Sequence, residues 1–154
     1  MKIKELKKRP SLEDNKKLHS AYKQLENLLD ILKSKELPEE VMSSVNQHID
    51  EVNSISESEK ELKKQIKKSQ TSILKLIEKE LQWVTKNHHR NLWLALGMAA
   101  FGLPLGVTFG MSMGNIGLLG LGLPIGMVIG LVLGTAMDKK AAEAGKQLDL
   151  EIKY

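Results

Sequence analysis

The chain's four histidines are the first residues to test for chemistry, because imidazole binds metals and moves protons near neutral pH. His19 and His48 fall on separate predicted helices, His88 and His89 are adjacent and so cannot face one ion from a helix, and no cysteine completes a ligand set. Zinc-type sites repeat their ligands at short, defined spacings, and none is present. There is likewise no nucleophile motif, phosphate loop or carboxylate pair of recognisable spacing. The chain is expected not to be an enzyme and to need no metal or cofactor.

Lysine gives a clearer pattern. On one continuous helix Lys60, Lys64, Lys68, Lys75, Lys79 and Lys86 fall within about 100° of one another. Such a stripe reads as a solvated face or as a surface for an anionic partner such as lipid headgroups. Without interleaved aromatics, and with almost no arginine, no nucleic-acid partner is expected.

The strongest signal comes from glycine. From Leu92 to Met137, forty-six residues pass without an Asp, Glu, Lys, Arg or His. A helix needs about 20 apolar residues to cross a bilayer, so the run holds two spans. The turn-forming Met113-Gly114-Asn115-Ile116-Gly117 divides it into spans near 92–113 and 118–137. The halves repeat at an offset of twenty: Gly102-Leu103-Pro104-Leu105-Gly106 recurs as Gly122-Leu123-Pro124-Ile125-Gly126, and the glycine period continues through Gly110 and Gly114 in one copy and Gly130 and Gly134 in the other. Glycines four apart drift by about 40° per step and form one stripe. Each costs roughly 1 kcal/mol against alanine in a helix interior, so the stripes need a compensating role. In lipid, close backbone approach through small residues is the main route to helix association. The stripes are therefore contact surfaces, either within the hairpin or between subunits, and subunit contact is the expectation.

The GxxxGxxxGxxxG pattern followed by Met137-Asp138-Lys139-Lys140-Ala141-Ala142-Glu143-Ala144-Gly145-Lys146 resembles the glycine-zipper segment of small bacterial membrane proteins, over roughly residues 95–148. The resemblance implies self-association in a membrane, in some cases as a pore. Pro104 and Pro124 depart from a plain zipper. Their mean position is residue 114, so in a folded hairpin both kinks reach a similar depth, as in an inverted repeat. Each frees a carbonyl four residues back, at Ala100 and Gly120. Thr108 and Ser112 share a face away from the glycines and are expected to bond back to the preceding turn. The spans hold no ionisable group for a proton relay.

The elements that position this hairpin come first in the chain. Ser11 with Asp14 is predicted to cap a first helix, whose Leu18, Tyr22, Leu25, Leu29 and Leu32 form a coiled-coil seam. After a connection at 33–37, Pro38 suits a first helical position, and Val41, Val45, Ile49 and Val52 line a second helix to about Asn53. Ser56 with Glu59 restarts a third. With no glycine or proline before Gly97, that third helix is expected to run directly into the first span, with Leu62, Ile66, Ile73, Ile77 and Val84 on its apolar face. Residues 57–90 alone would measure about 50 Å. At the other end, 148–154 alternate with period two, a strand signal without an obvious partner.

Charge sets the orientation. Of 23 basic and 19 acidic residues, four of each follow Met137, so the net +4 belongs to the N-terminal part. No apolar run follows the basic residues 2–9, so no cleavable signal is expected. Lys86, His88, His89 and Arg90 precede the first span, Lys139 and Lys140 follow the second, and the turn is uncharged. The positive-inside rule then places both termini in the cytoplasm, with Trp93 in an aromatic belt. The expectation is an all-α inner-membrane protein: residues 1–90 a cytoplasmic three-helix, coiled-coil-like domain, 91–137 the transmembrane hairpin, and 138–154 a cytoplasmic tail. Its partners would be the lipid bilayer, further copies of itself and a cytoplasmic protein. The leading functional expectation is a homo-oligomer joined by its glycine stripes, forming a pore or channel gated by the helical domain. The alternatives are a membrane-anchored scaffold and a small carrier built on the inverted repeat.

Overall fold

A computed structural model describes residues 2–9, 15–55 and 58–152. The chain is mostly helical and divides into two compact units, Met1–Val84 with Leu148–Tyr154, and Thr85–Gln147.

The first unit is a bundle of α1 (Lys16–Lys33), α2 (Glu39–Ser54) and α3 (Glu59–Leu81), with α3 packed against both others. Helix α1 starts at Asn15, whose Oδ1 accepts the Leu18 N–H at 3.2 Å. The predicted cap at Ser11 and Asp14 lies outside the described residues. The predicted seam of Leu18, Tyr22, Leu25, Leu29 and Leu32 is buried together with Val41, Val45, Ile49, Val52, Leu62, Ile66, Ile73 and Ile77. The seam is thus satisfied inside one chain. Pro38 takes the position before the first turn of α2, one residue earlier than expected. Ser56 lies outside the described residues; α3 is capped by Ser58, whose hydroxyl accepts the Glu61 N–H at 3.3 Å in the same Ser-x-x-Glu spacing.

The basic start of the chain has a structural role that its composition conceals. Residues 2–9 are not helical, and two asparagines of α2 hold them along that helix. Asn46 accepts from the Lys4 N–H and donates to the Lys2 carbonyl; Asn53 accepts from the Lys7 N–H and donates to the Glu5 carbonyl. An amide can satisfy backbone donor and acceptor together, so Asn46 tolerates being 3% exposed. The Tyr22 hydroxyl adds a 2.8 Å bond to the Lys7 carbonyl.

Burial, then the nearby Glu26 carboxylate, push the Tyr22 phenol above its usual range, against a smaller opposing pull from Arg9. The folded state therefore holds this proton more tightly than the unfolded chain, and stability falls as pH rises from 10.0 through the folded value. Urea unfolding of Tyr22→Phe should show a loss of about 1 kcal/mol at neutral pH, from the missing bond, and less alkaline weakening than the parent. Equal alkaline sensitivity in both proteins would refute this assignment.

The expected continuous third helix is corrected. Helix α3 ends at Leu81 because Gln82 turns left-handed (φ 56°), sending its own N–H and that of Trp83 back to the Glu78 and Ile77 carbonyls. The two-residue strand β1 (Val84–Thr85) follows, and Asn87 is again left-handed (φ 58°) before the next helix. Val84 is buried but is not on a helix, and Lys86 is off α3, so the lysine stripe shortens to Lys60, Lys64, Lys68, Lys75 and Lys79, all exposed. The tail is corrected as well. Strand β2 (Gln147–Leu148) pairs with β1 of the same chain, and Leu148 enters the bundle core. Of the predicted run 148–154 only Leu148 lies in the strand, 149–152 are not strand, and 153–154 fall outside the described residues; the strand's partner is intramolecular.

Candidate functional site

The second unit is the hairpin. Its ascending arm joins α4 (His88–Gly97), a π-helical turn (Met98–Gly102) and α5 (Leu103–Ser112); its descending arm joins a 3-10 turn (Ile116–Leu118) to α6 (Leu119–Glu143). The continuous helical stretches, His88–Ser112 and Ile116–Glu143, are both long and apolar enough to cross a membrane.

The predicted turn forms where expected. Gly114 takes a positive φ of 63°, which lets the Asn115 N–H return to the Gly110 carbonyl at 3.0 Å and the Gly114 N–H to Met111. Asn115 itself is extended, and its side chain accepts the Gly117 N–H at 2.9 Å to launch the descending arm.

The glycines line the seam between the arms. Gly97, Gly102, Gly106 and Gly110 are buried on one side, and Gly122, Gly126, Gly130 and Gly134 on the other. A Cβ on Gly122 would collide with the Gly102 carbonyl and the Gly106 amide, and one on Gly126 with the Gly97 carbonyl and the Gly102 amide. A Cβ on Gly134 would stand 2.5 Å from the Arg90 Cα. Backbone therefore lies on backbone along the arms, as small residues allow. This corrects the expected use of the stripes. They close the hairpin within one chain, Gly114 belongs to the turn rather than the seam, and Gly97 takes a place the sequence reading overlooked.

Large side chains point the other way. Among the described residues, every exposed large hydrophobic lies between Leu92 and Met137, and Met111 and Ile116 near the turn are each 79% exposed. In water such a surface would carry a heavy hydrophobic penalty.

Pro104 and Pro124 are both exposed, facing away from the seam. The ascending arm accommodates Pro104 with the π-helical turn just before it, where the Leu103 N–H reaches five residues back to Met98. Thr108 bonds back to the Pro104 carbonyl at 2.9 Å, as its spacing predicted. Trp93, His88, His89 and Arg90 are half-buried at the base of the ascending arm, while Lys139 and Lys140 are exposed near the end of α6.

Asp138 was missed as a functional residue. It continues the series 122, 126, 130, 134 by one more step of four, and it is buried. Its carboxylate accepts the backbone N–H groups of His89 and Arg90, each at 3.0 Å, capping α4 from the opposite arm. Asn87, at the cap position itself, makes no such bond. A signal for this was present, because residues 90 and 138 are equidistant from Gly114.

No family model, curated protein or solved structure matches this chain.

Proposed function

We propose that the chain is an integral membrane protein in which a self-closed, glycine-packed hairpin anchors a three-helix domain at the membrane surface, where that domain recruits a cytoplasmic partner. The observation that carries this reading is the hairpin's inverted construction, with glycine and backbone inside and leucine, valine, isoleucine and methionine outside. Lipid is the solvent that suits such an exterior. The basic residues flanking both open ends, Arg90 with Lys86 and Lys139 with Lys140, favour cytoplasmic termini of a multi-pass protein in the inner membrane. The likeness of 95–148 to bacterial glycine-zipper segments supports the same location.

The seam favours an anchor over a pore or carrier. Backbone against backbone leaves no lumen inside one hairpin, so a pore would have to form between closed hairpins in a homo-oligomer. The mass of the detergent-solubilised protein, together with ion flux through liposomes containing correctly inserted protein, separates these readings. The anchor predicts insertion without flux. Flux that scales with a defined oligomer would overturn it in favour of the pore, and saturable uptake of one solute would favour the carrier.

A further inference from the structure

A groove of about 530 Å3 lies wholly within the first unit, between α1 and α3, and its size is that of a small-molecule site. Its rim carries Lys16 and Lys17 from α1 and Lys63 and Lys67 from α3. None of the four forms an ion pair among the described residues. Lys16 and Lys17 occupy the first turn of α1, the positive end of its dipole, where acidic residues are the favourable choice and none is present. Lys63 and Lys67 repel each other at the four-residue spacing. Four cations gathered against these preferences form a positive field without a counter-charge in the groove's described lining.

The floor supplies a second, independent observation. Gln70 lines the groove at 5% exposure, and its amide has no hydrogen-bond partner among the described residues. The amide atoms are not sealed from the groove's solvent, so they keep both donor and acceptor capacity for a ligand there. Ala21, Leu74 and Ile152 provide apolar surface beside it. Lysine binds phosphate as a compact point charge, whereas the forked geometry that arginine offers to planar carboxylates is missing here.

We propose that this groove binds a phosphate ester bearing two or more negative charges and a neutral polar portion, with the lysines taking the phosphates and Gln70 the polar portion. A soluble nucleotide and a phosphorylated inositol headgroup share this chemistry. The site is distinct from the hairpin and does not depend on the anchoring role proposed above.

The test titrates ATP, and separately pyrophosphate, into the full chain in uncharged micelles by calorimetry, then repeats the measurement with phosphatidylcholine vesicles carrying phosphatidylinositol phosphate. Saturable binding is expected, weakened about tenfold or more by Lys16→Gln with Lys67→Gln and left nearly unchanged by Lys75→Gln with Lys79→Gln, which removes the same charge from α3 outside the groove. Gln70→Leu should weaken ATP while sparing pyrophosphate. This pattern with ATP assigns a soluble ligand, and the same lysine pattern confined to the vesicles assigns a lipid headgroup. Equal weakening by the two double variants would reduce the effect to net charge and overturn the proposal, as would the absence of saturable binding to every probe by protein whose circular dichroism shows it folded.

Discussion

Gly126→Leu should force the two arms of the hairpin apart while Gly120→Leu, six residues earlier on the same helix, leaves them in place. The contrast follows from what each side chain would meet. At Gly126 even a Cβ collides with the Gly97 carbonyl and the Gly102 amide and Cα, whereas at Gly120 nothing lies within 4 Å. Overpacking an ordinary core costs about 1–3 kcal/mol because neighbouring side chains can turn aside. Here the obstacles are backbone atoms of a helix, which have no rotamers, so the cost should sit at or above the top of that range. The chain has no cysteine, so spin labels can be placed cleanly at Ala95 and Thr135, both exposed on opposite arms, and their separation measured in micelles. A wider distance distribution for Gly126→Leu at unchanged particle mass is expected. Unchanged label distance with a fall in oligomer mass would instead return the stripes to subunit contact.

That experiment bears on what sequence can and cannot reveal. The spacing of the glycines predicted a contact surface, because a period of four places them on one helix face whatever the partner. It did not reveal the partner, because a stripe facing its own hairpin and one facing another subunit have the same period. The three helices of the first unit were readable for a similar reason, as Leu18 to Leu32 and Val41 to Val52 recur at the period that buries one face. The end of α3 was hidden. Left-handed positions are read first from glycine, yet here Gln82 and Asn87 adopt them without that signal. The two asparagines that fasten residues 2–9 were hidden in the same way, since an amide bonding a distant backbone looks like any polar helix residue. The α1–α3 groove is a third case: its four lysines come from two helices and lie 46 to 51 positions apart in sequence, while the stripe that was visible on α3 faces solvent.

Asp138→Ala should unravel the start of the ascending arm, with a loss of about 3 kcal/mol in hairpin stability. The carboxylate is 7% exposed and bonds two N–H groups in the first turn of α4, where the helix dipole also favours negative charge. Bonds to a charged partner contribute about 1.5–3 kcal/mol each and are not fully additive, since one side chain makes both. Truncation to alanine leaves the His89 and Arg90 amides without their acceptor, and Asn87 does not cap them in its place. Asp138→Asn keeps one oxygen acceptor and should recover part of the loss. Glu143→Ala tests whether charge alone matters, because Glu143 is exposed one turn further along α6 and makes only a 3.9 Å pair with Lys139; it should change stability by less than about 0.5 kcal/mol. Hydrogen exchange at His89 and Arg90 in micelles reads the cap directly, and faster exchange confined to the first turn of α4 is the expected signature for Asp138→Ala. Exchange unchanged there would mean the helix start is held by other contacts and that Asp138 is not its cap. Because Gly134 and Asp138 are one helical turn apart on the same buried line, the two sites form one device. The glycine lets the base of α4 approach α6, and the carboxylate then fixes it there, so Gly134→Leu should remove most of the effect of Asp138→Ala when the two are combined.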